Sequence, residues 1–161
     1  MKATDLLKRQ HREVKKLFGQ TLKAEGAEER RSGMEEIAAK LTAHMAIEEE
    51  IFYPAVAELA TKKTEDMVPE AYEEHHVAKL VIAELPNVDP SDERFKAKIT
   101  VLSELIDHHV EEEEEEMFKT AEKLGAERLV ALGDEMEVAF DEQLAEQQDA
   151  PAVAPRKAGA R

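Results

Sequence analysis

The chain has 161 residues, 37% of them charged, a formal net charge of -15, no cysteine and no tryptophan. That length suits one domain with a sizeable core, and the acidity argues against nucleic acid or anionic membrane as partners, since both need a basic patch. The lack of cysteine removes disulfides, zinc–thiolate sites, iron–sulfur clusters and thiol nucleophiles together.

With aromatics at 4%, the core has to come mostly from Leu, Ile, Val, Ala and Met. No apolar run approaches the ~20 residues of a membrane span. The opening "MKATDLLKRQHREVKK" is amphipathic and charged, unlike a signal peptide. A soluble, cytoplasmic protein is the expectation.

In chain order, Thr4 or Asp5 can cap a first helix running to about Lys23, with Leu6, Leu7, Val14, Leu17, Phe18 and Leu22 at helical spacing. Gly26 and Gly33 are read as flanking a turn. A second helix then runs to Leu59, bent or interrupted at Pro54. "ATKKTEDMVPE" reads as a loop, with Pro69 in the first turn of a third helix that ends at Leu85. After the turn "PNVDPSDE", Ser91 or Asp92 caps a fourth helix that reaches Leu124 and stops at Gly125. A fifth amphipathic helix carries Leu129, Leu132, Met136, Phe140 and Leu144.

No segment alternates as a half-buried strand would. The predicted fold is all-α: an up-down antiparallel four-helix bundle over residues 1–125, a C-terminal helix over 126–148 packed on it, and a disordered tail over 149–161.

The six histidines fall one site per core helix, two of them doublets: His11, His44, His75/His76 and His108/His109. His11 to His75 is 64 residues and His44 to His109 is 65, so helices three and four look like a second copy of helices one and two. "AHMAIEEEIFY" (43–53) aligns with "HHVEEEEEEMF" (108–118), matching His44 to His109, Glu48 to Glu113 and Tyr53 to Phe118.

Residues i and i+4 share a helix face. His44 with Glu48, and His109 with Glu113, therefore each aim an imidazole and a carboxylate to one side. His11 and His75 add an imidazole each. Four imidazoles and two carboxylates at one level of a bundle suit a dinuclear metal site, because carboxylates bridge and imidazole suits iron or zinc.

Glu116, seven residues after His109, shares the ligand face on the helical wheel and is a possible additional ligand. Glu111, Glu112, Glu114 and Glu115 read as a solvated face. Glu49 and Glu50 turn away, with a supporting hydrogen bond possible for Glu49. Tyr53 is nine residues from His44, about 180° round the helix, which argues against a role at the metals. His76 and His108 turn about 100° from their neighbours. No catalytic residue is assigned. The zinc-peptidase motif and phosphate loops are absent, and the Glu-x-x-His of ferritin-like sites occurs once, at Glu73 and His76.

At "QHREVKKLF", "HMAIEEEIFYP", "EEHHVAKLVIAEL" and "HHVEEEEEEMF" the chain resembles the hemerythrin family, in its bacterial form the HHE cation-binding domain, over roughly residues 5–125. The resemblance implies two non-haem iron ions with a bridging oxo or hydroxo group, held by His11, His44, Glu48, His75, His109 and Glu113. It implies binding or sensing of dioxygen or another small oxidant or gas. Redox chemistry on peroxide or nitric oxide, and iron storage or donation, are the alternatives.

Two positions depart from the oxygen carriers of that family. Their fifth histidine would fall at Lys79, which leaves one iron more open or differently filled. Their second acidic ligand would fall at Glu114 rather than Glu113.

Overall fold

The computed structural model describes residues 1–149, all helices, turns and connections, with no strand among them. The first helix, α1 (Ala3–Lys23), starts just ahead of the expected caps. Lys2 holds the cap position without a side-chain bond, and Asp5 lies in the first turn, where a negative charge favours the helix N-terminus.

The second, α2 (Ala27–Ile47), contains Gly33, which therefore does not flank a turn. A Cβ at Gly33 would fall 2.2 Å from Thr21 Oγ1. This glycine is a point of close approach between α1 and α2. Its contact offsets a propensity cost of about 1 kcal/mol for glycine inside a helix.

The third core helix also begins earlier than expected. Thr61 caps α4 (Lys62–Glu84) by accepting from the Thr64 amide, while the Thr61 amide donates back to the Thr64 hydroxyl. "ATKKTEDMVPE" is thus mostly helical, and Pro69 sits within the helix instead of in its first turn. The cap starts the helix, and Thr64, Val68 and Ala71 bury one face of it. Pro69 is exposed and costs the helix one backbone bond. Asp92 caps α5 (Glu93–Glu112), as expected, by accepting from the Arg94 amide.

Helices two and four are each interrupted at corresponding places. After α2 comes a π-helical segment, Glu48–Phe52, and then α3 (Tyr53–Ala57), which starts at the Pro54 turn. After α5 comes a second π segment, Glu113–Met117, then α6 (Phe118–Ala121) and a 3-10 turn, Glu122–Leu124, before Gly125. In each segment the amide five residues on bonds the first carbonyl: Tyr53 to Glu48, and Phe118 to Glu113.

The last helix, α7 (Ala126–Asp149), packs on α1, α2 and Glu48–Phe52. Asp149 thus belongs to it, and the rest of the expected tail lies outside the described residues. Leu129, Leu132 and Met136 join Leu6, Leu7, Ile47, Phe52 and Phe118 in one apolar cluster. A second cluster holds Phe18, Ile37, Leu41, Phe95, Ile99 and Leu102. The polar centre is built from side chains between these two cores.

Candidate metal centre

His11 on α1, His44 on α2, His75 on α4 and His109 on α5 are all buried, with Glu48 and Glu113 at the first positions of the two π segments. His11 Nε2 lies 3.2 Å from His44 Nε2, and His75 Nε2 lies 3.1 Å from His109 Nε2. Glu48 spans the two pairs. Its Oε1 is 3.1 Å from His44 and its Oε2 is 3.2 Å from His75. Glu113 Oε2 is 3.3 Å from His11 and 4.0 Å from His109. The donor atoms of His11, His44 and Glu48 fall within 4.8 Å of one another, as do those of Glu48, His75 and His109.

The opposite nitrogen of every imidazole is held from behind. His11 Nδ1 meets Glu114 Oε1 at 2.8 Å, and His75 Nδ1 meets Glu49 Oε1 at 2.9 Å. His44 Nδ1 meets Gln10 Oε1 at 2.7 Å, and His109 Nδ1 meets Glu74 Oε2 at 2.6 Å. These four contacts repeat the duplication. Glu49 and Glu114 each follow a central glutamate, and Gln10 and Glu74 each precede a central histidine. A proton fixed on Nδ1 leaves Nε2 as the nitrogen with a lone pair to give, the usual arrangement behind metal-binding histidines.

The donor set fits metal cations on a second count. Glu48 Oε1 and both carboxylate oxygens of Glu113 are buried without a hydrogen-bond partner. Buried carboxylate oxygens are costly unless paired with a cation or a donor. Nitrogens 3.1–3.2 Å apart match two neighbouring ligands on one ion with bonds of about 2.0–2.1 Å.

Charge alone already distorts the titration of the group. Burial, the largest influence on His11, favours its neutral form, but the adjacent carboxylates of Glu113 and Glu48 together push it up to about 10. Burial likewise opposes ionisation of Glu48, yet the neighbouring imidazoles hold it well below the usual carboxylate range.

Three expectations change. Tyr53 is not on the far side. Its phenol oxygen lies 3.1 Å from His75 Nε2, 3.3 Å from His109 Nε2 and 3.4 Å from Glu48 Oε2. A π turn takes one more residue than an α turn, which rotates the following side chains back by about 100° relative to a plain α-helical wheel. The same rotation carries Glu116 off the ligand face. It is exposed and paired with Lys63 at 3.2 Å. Glu114 is not simply solvated either, since it braces His11.

Lys79 takes neither side of the centre. It bonds both oxygens of Glu49, which supports His75. His76 is exposed. His108 is also exposed and sits beside Glu74 and Glu112. Sequence reasoning misses Tyr53, one π turn after a central Glu, because nothing in the hydrophobic pattern marks a π turn, and it misses Gln10 and Glu74 as braces.

A helical protein with a buried histidine–carboxylate cluster suited to binding metal cations is the class defined by this geometry. Residues 2–121 match the model of the hemerythrin HHE cation-binding domain, so the chain belongs to that family. It is 24% identical to a hemerythrin HHE cation-binding domain-containing protein from Mycobacterium kansasii, whose crystal structure superposes with a TM-score of 0.79 over 91% of this chain and 89% of that one. It is also 27% identical over 118 residues to a DNA nickase from Nostoc sp., covering 73% of this chain but 33% of the relative. The chain therefore spans about a third of that relative's length. No described helix is long and apolar enough to cross a membrane.

Proposed function

We propose that this chain is a carboxylate-bridged non-haem di-iron protein that binds or senses dioxygen. His11, His44, His75 and His109 would be its terminal ligands, and Glu48 and Glu113 its bridges. The observation that carries the reading is the unpartnered oxygens of Glu48 and Glu113, flanked by two pairs of imidazole nitrogens.

Bound iron supplies redox electrons and open coordination positions. The chain supplies the rest. Gln10, Glu49, Glu74 and Glu114 orient the imidazoles. Val14, Leu41, Met45, Ile106 and Val110 line a small cavity of about 10 Å³ against the four histidines. A space of that size admits a ligand about as large as water, and its apolar walls suit an uncharged gas.

Titrating chelator-stripped protein with ferrous iron under anaerobic conditions should saturate at two irons per chain. Admitting air should then change the visible spectrum. Saturation at one iron, or a two-iron protein indifferent to air, would rule the reading out.

A redox enzyme acting on peroxide or nitric oxide is the second reading, and Tyr53 favours it. A phenol beside His75 and His109 can donate a ligand oxygen or a proton there. Turnover of peroxide or nitric oxide above that of free iron, lost in His109→Ala, supports this reading. Its absence in fully loaded protein leaves the oxygen-binding one.

A further inference from the structure

The duplication that shapes the centre breaks down at its edge. Beside His44 and Glu48, the first repeat places Leu6, Gln10, Ile47 and Ile51. Leu6 and Ile47 are fully buried, and α7 packs across this side. The matching positions of the second repeat, 64 residues on in α4 and 65 on in the fourth rod, are Glu70, Glu74, Glu112 and Glu116. Three apolar residues and an amide have become four carboxylates.

Those four carboxylates surround a cavity of about 100 Å³, where the first repeat's matching Leu6 and Ile47 are buried in packed core. Glu70, Glu112 and Glu116 are exposed at its mouth, with Met67, Ala71 and Met117 as apolar walls. His109 and Glu113 line it from within. Glu113 is 2% exposed, and neither of its carboxylate oxygens has a hydrogen-bond partner. The cavity thus joins an acidic rim to the unpartnered carboxylate of the centre.

We propose that this acidic cavity is the port through which divalent metal cations reach the buried centre, ending on Glu113. The inference rests on the metal-binding reading above and adds the route. Four carboxylates around a narrow opening focus field lines and concentrate cations, while they repel anions. Glu74, His108 and Glu112 bring donor atoms within 4.8 Å of one another beside the opening, which offers an arriving cation a first halt. Glu74 also bonds His109 Nδ1, so the rim and the centre share a side chain. Lys63, paired with Glu116, partly offsets the rim charge. An uncharged gas gains nothing from this field.

The test follows uptake of Co2+ by chelator-stripped protein in a stopped-flow instrument, read from the visible absorption of the bound ion. The variant is Glu70→Gln/Glu112→Gln/Glu116→Gln, which leaves the six central side chains and the four residues bracing them intact. A charge-matched control, Glu28→Gln/Glu35→Gln/Glu36→Gln, removes three exposed glutamates in the first half of α2, away from the cavity.

The rim variant should load roughly tenfold more slowly at low ionic strength, within the range of electrostatic steering. It should reach the same final Co2+ content. The gap should close near 1 M salt, where the Debye length is about 3 Å, and Lys63→Gln should load faster than the parent.

Loading of the rim variant at the parental rate, or equal slowing in the control, overturns the port while leaving the metal centre standing. Failure of the parent protein to take up Co2+ at all overturns the metal reading and the port with it.

Discussion

Tyr53 and Glu48 stand one π turn apart: the Tyr53 amide bonds the Glu48 carbonyl, and the Tyr53 phenol oxygen lies 3.4 Å from Glu48 Oε2. The second repeat keeps the backbone bond, from Phe118 to Glu113, but ends it in a hydrocarbon ring. Phe118 stacks on His11, with centroids 6.0 Å apart and planes 6° from parallel. The centre is therefore lopsided. The His75/His109 pair faces a phenol, and the His11/His44 pair faces a ring with no donor atom.

Tyr53→Phe makes the first repeat like the second and isolates that oxygen. The metal-free variant should fold, its thermal midpoint within about 4 °C of the parent, since a net hydrogen bond is worth about 1 kcal/mol. The iron-loaded variant should lose the visible absorption that a phenolate–iron contact produces. Superimposable spectra for loaded parent and variant would show that Tyr53 stays a phenol and only packs there. Burial and the charges of Glu113 and Glu48 push its pKa well above the usual tyrosine value, so without metal the phenol keeps its proton.

Metal should stabilise the folded chain through Glu113 in particular. Its two oxygens have no hydrogen-bond partner, so a cation is the partner they lack. Saturation at 100 times Kd adds about 2.7 kcal/mol, or roughly 5–10 °C for a domain of this size. Differential scanning calorimetry with ferrous iron or with chelator should show that rise in the parent and little of it in Glu113→Ala. An equal rise in both would remove Glu113 from the ligand set.

Much of this centre is legible in the amino-acid sequence because the duplication doubles every signal. His44/Glu48 and His109/Glu113 repeat at a fixed offset, and the hydrophobic period places both pairs inward. All six expected ligands converge. The same periodicity misplaces Tyr53 and Glu116, because a helical wheel assumes an unbroken α turn and both lie in or after a π segment. Of the residues that brace the imidazoles, only Glu49 is readable from its place beside Glu48, and its histidine partner is not. Glu49, Glu74 and Glu114 each bond a histidine on a neighbouring rod, and no spacing within one helix encodes such a contact. At Thr61 the local cap was present in the residues but outweighed by the loop-like look of Lys, Thr and Pro69.

Acidity should act on the metal-free protein in opposite senses at its two limits. His11 is raised from 6.5 to about 10, and His109 is raised as well. A raised folded pKa means the folded state holds its proton more tightly than the unfolded chain. Their contribution is full below about pH 6.5 and fades as pH rises, gone for His11 above about 10. Glu48 is lowered, so its contribution is full above its ordinary 4.5 and is lost as pH falls through its folded value. Thermal midpoints of chelator-stripped protein should peak between these limits and decline from pH 6.5 towards 10. Protons compete with metal for the same Nε2 atoms, so metal affinity should rise over that interval. A flat stability profile from pH 6.5 to 10 would contradict the influence of the Glu113 and Glu48 charges on His11.

Gly33 offers a test of the scaffold away from the chemistry. A helix interior normally prefers alanine over glycine by about 1 kcal/mol, so propensity alone predicts that Gly33→Ala stabilises. The close approach predicts the reverse, because the new Cβ would fall 2.2 Å from Thr21 Oγ1 and 3.0 Å from Thr21 Cβ. Thr21 is buried, and its branch at Cβ cannot swing a flexible tip aside. Moving α1 and α2 apart is the remaining outlet, and overpacking of this kind costs about 1–3 kcal/mol. Gly33→Ala should therefore lower the thermal midpoint by roughly 2–10 °C. Thr21→Ala in the same chain should restore much of the loss, as a non-additive pair in direct contact. A stabilised single variant would mean that the two helices yield more easily than a cavity-free contact between them allows.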